Sequence, residues 1–179
     1  MTGPRPEQGS LTKSNDLSKS DETRRTIEGM IDGLNDNLFD GLQRFFHEKF
    51  RWRGNAGCGT KNGLEEFKNN WVLPFRTTFT DNVCTDEARI VQGEWMAAMG
   101  ALVATHSEEF MGIPATGKRV EIRYMDIWKV KDGKIIDNWV MVDFPYVMRQ
   151  LGVDPFNGQG WEAYDTGEKV ASSAMRGEK

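Results

Sequence analysis

The sequence predicts an α+β domain in which helices come first and antiparallel strands follow. Apolar residues up to about position 80 recur at helical spacing, as in Ile27, Met30, Ile31 and Leu34. From Asp81 onward the pattern changes. Four stretches, at about 83–91, 94–110, 118–130 and 134–143, alternate or are rich in branched and aromatic residues. Turns separate the later stretches, one over Gly112–Gly117 and one at Lys131-Asp132-Gly133. Helices followed by strands at hairpin spacing imply an antiparallel sheet with one face covered by the helices.

Composition limits what such a domain does. A chain of 179 residues, 38% hydrophobic, buries one core. The 6 Trp, 10 Phe and 3 Tyr exclude a wholly disordered chain. A net charge of −4 without a long basic run argues against a nucleic-acid partner. No apolar run approaches the roughly 18 residues of a membrane span, and the first residues lack the apolar stretch of a secretory signal. A cytoplasmic protein, with no membrane partner, is the expectation. Cys58 and Cys84 form neither a CxxC nor a metal-ligand spacing, and the two histidines lie far apart. No metal or organic cofactor is expected.

Along the chain, residues 1–20 are poor in apolar side chains and predict a disordered tail, and 21–155 predict the folded domain. Ser20 followed by Asp21 and Glu22 reads as a helix start, so a first helix covers about 21–34. Leu38, Leu42, Phe45 and Phe46 predict a second helix ending near His47, and Trp52 a short strand. Asn62 and Glu65 resemble a capping box. Leu64, Phe67, Trp71, Phe75 and Phe79 continue a helical stripe that Pro74 must kink or divide. Pro145 starts a short helix that Gly152 stops. The segment 156–179 is a partly ordered tail. Its Phe156, Trp161 and Tyr164 fit neither a helix nor a strand pattern, and serve either as a cover for the sheet or a partner subunit, or as a lid.

The stretch 118–130 is the most informative. Val120, Ile122, Tyr124, Asp126 and Trp128 share one face by the two-residue period, and Asp126 is the exception in an apolar set. A carboxylate there costs several kcal/mol, as a rough figure, unless paired or neutralised. A three-residue Lys131-Asp132-Gly133 loop matches the apolar faces of the two strands. It pairs Trp128 with Ile136, Asp126 with Asn138, Tyr124 with Val140, and Ile122 with Val142. Trp139, Met141, Met125 and Ile127 then fall on the opposite face, an apolar patch that predicts a homodimer.

Three segments carry a family resemblance: Gly112-Ile-Pro-Ala-Thr-Gly-Lys-Arg-Val, Asp126-Ile-Trp-Lys-Val-Lys-Asp-Gly-Lys-Ile, and Trp139…Asp143…Gln150-Leu-Gly-Val-Asp. Over about residues 25–155 the chain resembles the SnoaL-like polyketide cyclases of the nuclear transport factor 2-like superfamily. The resemblance implies a cone, a curved antiparallel sheet wrapped around helices and enclosing an apolar pocket, usually in a dimer. It places Asp126 where steroid isomerases of the superfamily carry a protonated aspartic acid in their oxyanion hole. It places Arg53 near the position of their general base, where an arginine would instead bind an acidic or enolate oxygen. The last strand of the cyclases commonly reads Glu-His-Trp-Asp. Here it reads Asp137-Asn138-Trp139-Val140, so the expected acid/base aspartate is Val140. His106, in Ala-Thr-His106-Ser, partly matches a family Gly-Thr-His pattern.

Two classes of function fit. The first is a cyclase or isomerase acting by proton transfer next to the carbonyl of a small apolar substrate, polyketide-like or ring-containing. Asp126, Asn138 and His106 are its candidate catalytic residues. Arg53, Tyr124, Trp128, Val140, Val142, Phe46, Trp71 and Phe75 are candidate binding residues. The second is a non-catalytic ligand-binding or partner-binding protein of the same fold.

Overall fold

The structure, a computed structural model, describes residues 17–36, 39 and 41–172. The chain divides into two compact units, residues 1–143 and 144–179. In the first unit a helix, α1 (Leu17–Asn35), precedes a six-stranded sheet and a short helical segment. The strands are β1 (Phe46–Gly54), β2 (Thr60–Asn62), β3 (Phe79–Gln92), β4 (Trp95–His106), β5 (Arg119–Lys131) and β6 (Lys134–Val142). Their order is β2-β1-β6-β5-β4-β3. All neighbours are antiparallel except β1 and β6, which are parallel. The four later strands lie in the predicted stretches, except that β3 begins earlier, at Phe79, and β4 ends earlier, at His106.

The first helix starts earlier than predicted, so residues 17–20 are helical and only 1–16 of the expected tail lie outside the described residues. Ser20 is therefore not a cap. Its hydroxyl accepts from the Gly93 N–H at 2.9 Å, and Thr23 donates to the Gly93 carbonyl at 2.7 Å. These two bonds tie α1 to the β3–β4 turn, and Ile27 and Met30 are buried.

The predicted second helix is reduced to one 3-10 turn, Leu42–Phe45, and Leu38 lies outside the described residues. Phe46 already belongs to β1. Pairing of this segment with both β2 and β6 outweighs its helical spacing, and Phe46, Phe50 and Trp52 become buried. The helical stripe of residues 62–79 is divided as Pro74 requires. It runs as α2 (Gly63–Phe67), a π-helical turn (Lys68–Val72) and α3 (Leu73–Thr78), and Phe79 starts β3. Leu73 donates to the Lys68 carbonyl, five residues back, just before the proline that lacks an N–H. The Asn62 side chain makes no capping bond. Its backbone N–H is instead bound by the Glu66 carboxylate at 2.7 Å.

The β5–β6 register differs from the sequence expectation. Asp132 and Gly133 both have positive φ, 50° and 69°, so the turn has two residues and pairs Lys131 with Lys134. A bulge follows, since Lys129 pairs with Asp137 while Val130 pairs with Ile135, leaving Ile136 as the extra residue. Beyond it, Trp128 faces Asn138, Asp126 faces Val140 and Tyr124 faces Val142. Bulge and shorter turn together shift the predicted register by two residues. Beyond the bulge this even shift keeps each side chain on its predicted face, whereas before it Ile135, paired with Val130, takes the inner position expected of Ile136.

The second unit holds α4 (Phe144–Gln150), ended by Gly152 at φ 93°, and a 3-10 turn, Trp161–Tyr164. Arg149 pairs with Glu162 at 2.5 Å and lies over the Phe156 ring at 5.4 Å. Trp161 is 83% exposed. Among the described residues no helix is long and apolar enough to cross a membrane.

Candidate active site

The helix-covered face of the sheet borders a cavity of about 310 Å³. Its apolar side is an aromatic row from three elements. Trp52 of β1 lies 4.3 Å from Trp71, between ring centroids, and Trp71 lies 5.2 Å from Phe75. The π-helical turn carries Trp71 and α3 carries Phe75, so the break at Pro74 sets this wall. From β4 the cavity is lined by Leu102, while Ala98 and Gly100 are small residues of the same face.

The two-residue period of β5 turns Ile122, Tyr124, Asp126 and Trp128 toward the cavity. Asn138, Val140 and Val142 enter from β6. Asn138 Nδ2 donates to Asp126 Oδ1 at 3.0 Å, reaching diagonally because Val140 is the residue directly opposite. Removal from bulk water pushes the Asp126 carboxyl up to about 7. The amide of Asn138 pulls the other way, and the nearby Asp86 charge adds to the rise. Asp126 can thus both hold and release a proton near neutral pH.

Eight of the expected site residues line this cavity: Asp126, Asn138, Tyr124, Trp128, Val140, Val142, Trp71 and Phe75. Three do not. Arg53 alternates with the inward Trp52, so it faces the other side of the sheet. There its Nη2 lies 2.8 Å from Asp137 Oδ1, and its guanidinium lies 5.2 Å from the Trp139 ring. Phe46 is enclosed in a cluster with Phe50 and Phe67. His106, at the end of β4, is fully buried between Phe79 and Phe110, with Nδ1 3.0 Å from the Thr116 hydroxyl.

Burial holds His106 below its ordinary value of 6.5, and Nε2 is buried without a hydrogen-bond partner. The unfolded chain then takes up a proton that the folded protein refuses. The stability this histidine contributes is present above about pH 6.5 and is lost as pH falls. His106→Gln should flatten the acid limb of a urea-midpoint profile, and an unchanged limb would show that other groups set it.

The sequence reading missed the polar side of the cavity, formed by Cys84, Asp86 and Arg89 of β3 with Arg76 of α3. Strict alternation puts residues 86 and 89 on opposite faces. A bulge removes that rule, because Asp86 pairs with Gly100 while Ala88 pairs with Met99, leaving Glu87 extra. Cys84, Asp86 and Arg89 thereby share the inner face with Leu102, Gly100 and Ala98.

A curved, mostly antiparallel sheet with helices over a cavity of this kind is the architecture of nuclear transport factor 2-like proteins. The chain matches the crystal structure of an NTF2-like protein from Burkholderia pseudomallei with a TM-score of 0.61 and 15% identity, over 74% of this chain and 98% of that one. The chain belongs to the SnoaL-like polyketide cyclase family, which matches residues 24–151. It is 35% identical over 141 residues to the aklanonic acid methyl ester cyclase DauD of Streptomyces sp. (strain C5), covering 75% of this chain and 84% of the relative. It is 29% identical over 136 residues to the nogalonic acid methyl ester cyclase of Streptomyces nogalater, covering 74% and 98%.

Proposed function

We propose that the protein is a cyclase acting by proton transfer next to a carbonyl, with Asp126 as the proton carrier. The observation that supports this reading is the Asp126 carboxyl, turned into an apolar cavity, bonded to Asn138 and poised near neutral pH. Ring closure by carbon–carbon bond formation needs one C–H proton removed and one carbonyl oxygen protonated, with no atom lost. A single carboxyl can take the first proton and return it to the oxygen. Asn138 orients that carboxyl, and Trp52, Trp71 and Phe75 offer flat apolar surface to a ring-containing substrate. The relatives, cyclases of nogalonic acid and aklanonic acid methyl esters by name, make these esters the first compounds to test. Turnover should be seen by mass-resolved chromatography and should fall by about 10²-fold or more in Asp126→Asn. Unchanged turnover in that variant removes Asp126 from the chemistry.

One observation favours a non-catalytic binder of the same fold. Val140, opposite Asp126, brings no acid where the family resemblance implies one. Tight binding of such esters without turnover would decide for it.

The outer face of the sheet supports a homodimer. Met99, Met125 and Met141 are cross-strand partners in one row, 44%, 53% and 58% exposed, and Ile127 lies in the next row. A two-fold contact would cover this row with its own copy. Met125→Glu places a charge at its centre and should convert a dimer into a monomer in sedimentation at micromolar concentration. A wild-type monomer there ends the dimer proposal.

A further inference from the structure

We propose that Asp86 is a positioning residue of this cavity. Its carboxylate holds the Tyr124 phenol in place and sets a fixed negative charge on the face that carries Asp126. The inference rests on the reading of Asp126 as the proton carrier and extends it to a residue on a different strand.

Three features of the fold converge on Asp86. First, Asp86, Gly100 and Tyr124 are partners in one row across β3, β4 and β5. Gly100 has no side chain, so the phenol of Tyr124 crosses β4 and donates to Asp86 Oδ1. Second, the bulge at Glu87 brings Arg89 onto the same face, where its Nε binds the other carboxylate oxygen, Oδ2. Arg89 is anchored in turn by Glu28 of α1, at 3.6 Å. Both oxygens of Asp86 are therefore committed before any ligand arrives. Third, the single phenolic proton goes to Asp86, so the Cys84 thiol, 3.1 Å away, is left to donate to the phenolic oxygen. The hydrogen bonds run in one direction, from Cys84 to Tyr124 to Asp86.

This arrangement divides the two cavity carboxyls by task. Asp86 is fixed by a cation and a phenol. Asp126 has only the neutral amide of Asn138 as its bonded side-chain partner among the bonds described, and is able to exchange its proton. The charged and titratable groups that line the cavity with Asp126 are Asp86, Arg89 and Cys84 from β3, Tyr124 from β5 and Arg76 from α3. Asp86 is the charge among them that favours the protonated form of Asp126, against the pull of Asn138.

Carboxyl-labelled aspartate NMR without substrate tests the proposal independently of activity, with Asp126→Asn used to assign the resonance. Asp86→Asn removes the fixed charge and leaves Arg89 with Glu28 as its acidic partner. The Asp126 midpoint should fall by about half a pH unit or more. Ring-labelled tyrosine gives a second readout, because the chain has 3 tyrosines. Burial first, and then the bond to Asp86, hold the Tyr124 phenol above the ordinary tyrosine range, so loss of the anionic acceptor should lower it while burial keeps it raised. Arg89→Gln keeps the carboxylate and strips its cation, so it should move the Asp126 midpoint upward, and it carries the test if Asp86→Asn does not fold. An Asp126 midpoint unmoved in both variants overturns the proposal. Loss of turnover in Asp126→Asn would still stand, so the two readings fail separately.

Discussion

Asp126→Asn is expected to stabilise the protein above neutral pH while removing its chemistry. In the unfolded chain this carboxyl titrates near 3.8, and in the folded protein near 7. Between the two values the folded state keeps a proton that the unfolded chain has released. Folded stability therefore declines as pH rises through this window and levels off once the buried carboxyl is ionised. The full difference corresponds to about 4 kcal/mol. Asparagine has the same shape, no charge to bury, and a carbonyl oxygen that still accepts from Asn138. Urea midpoints of wild type and variant should be similar at about pH 4 and diverge in favour of the variant by about pH 8. Turnover, where measured, should fall by about 10²–10⁴, the usual worth of a positioned acid/base. A variant less stable than wild type at alkaline pH would mean that the ionised carboxylate has stabilising partners that outweigh its desolvation. The acid limb assigned to His106 runs in the opposite direction over an overlapping pH range, so the wild-type profile is the sum of two opposed slopes and each variant isolates one of them.

Gly100→Ala is the second large effect. A Cβ there would lie 2.1 Å from the Thr85 carbonyl oxygen and 2.9 Å from the Asp86 Cα. Both are backbone atoms of the bulged strand and cannot rotate away. Glycine inside a strand marks such a close approach. Relieving the clash means moving β3 off β4 beside the bulge, at a cost of about 1–3 kcal/mol. Tm should drop by about 3–10 °C. The Tyr124–Asp86 bond should be lost with it, so Tyr124 should shift in ring-labelled NMR as it does in Asp86→Asn. A Tm within a degree of wild type would show that β3 yields without cost.

Alternation together with branched and aromatic content placed β3 to β6 to within about four residues, and in β5 the apolar face repeats every second residue. The same rule isolated Asp126 as a polar residue in an apolar row and turned Met125, Ile127 and Met141 outward. Asp132-Gly133 was legible as a turn, yet its length was not, because beyond Ile136 the bulge restores the faces that the shorter turn alone would have reversed. Face matching is blind to a shift of two residues, and so Asn138 was expected opposite Asp126 when it reaches it diagonally.

Other features depend on contacts between segments distant in the chain. Phe46 and its neighbours have helical spacing, and only pairing with β2 and β6 makes them a strand. Arg53 was drawn toward the pocket by its place in the family pattern. Its alternation with Trp52 sends it to Asp137 on the other face. Asp86 and Arg89 lie three residues apart in a strand, a spacing that normally separates them across the sheet. The sequence by itself determined the fold class, the inner face of β5 and the carboxyl at position 126, because each follows from local periodicity and the cost of burying charge. The tertiary structure decided which groups surround that carboxyl, because a bulge depends on how neighbouring strands pair, and a single extra residue reverses the face of everything beyond it.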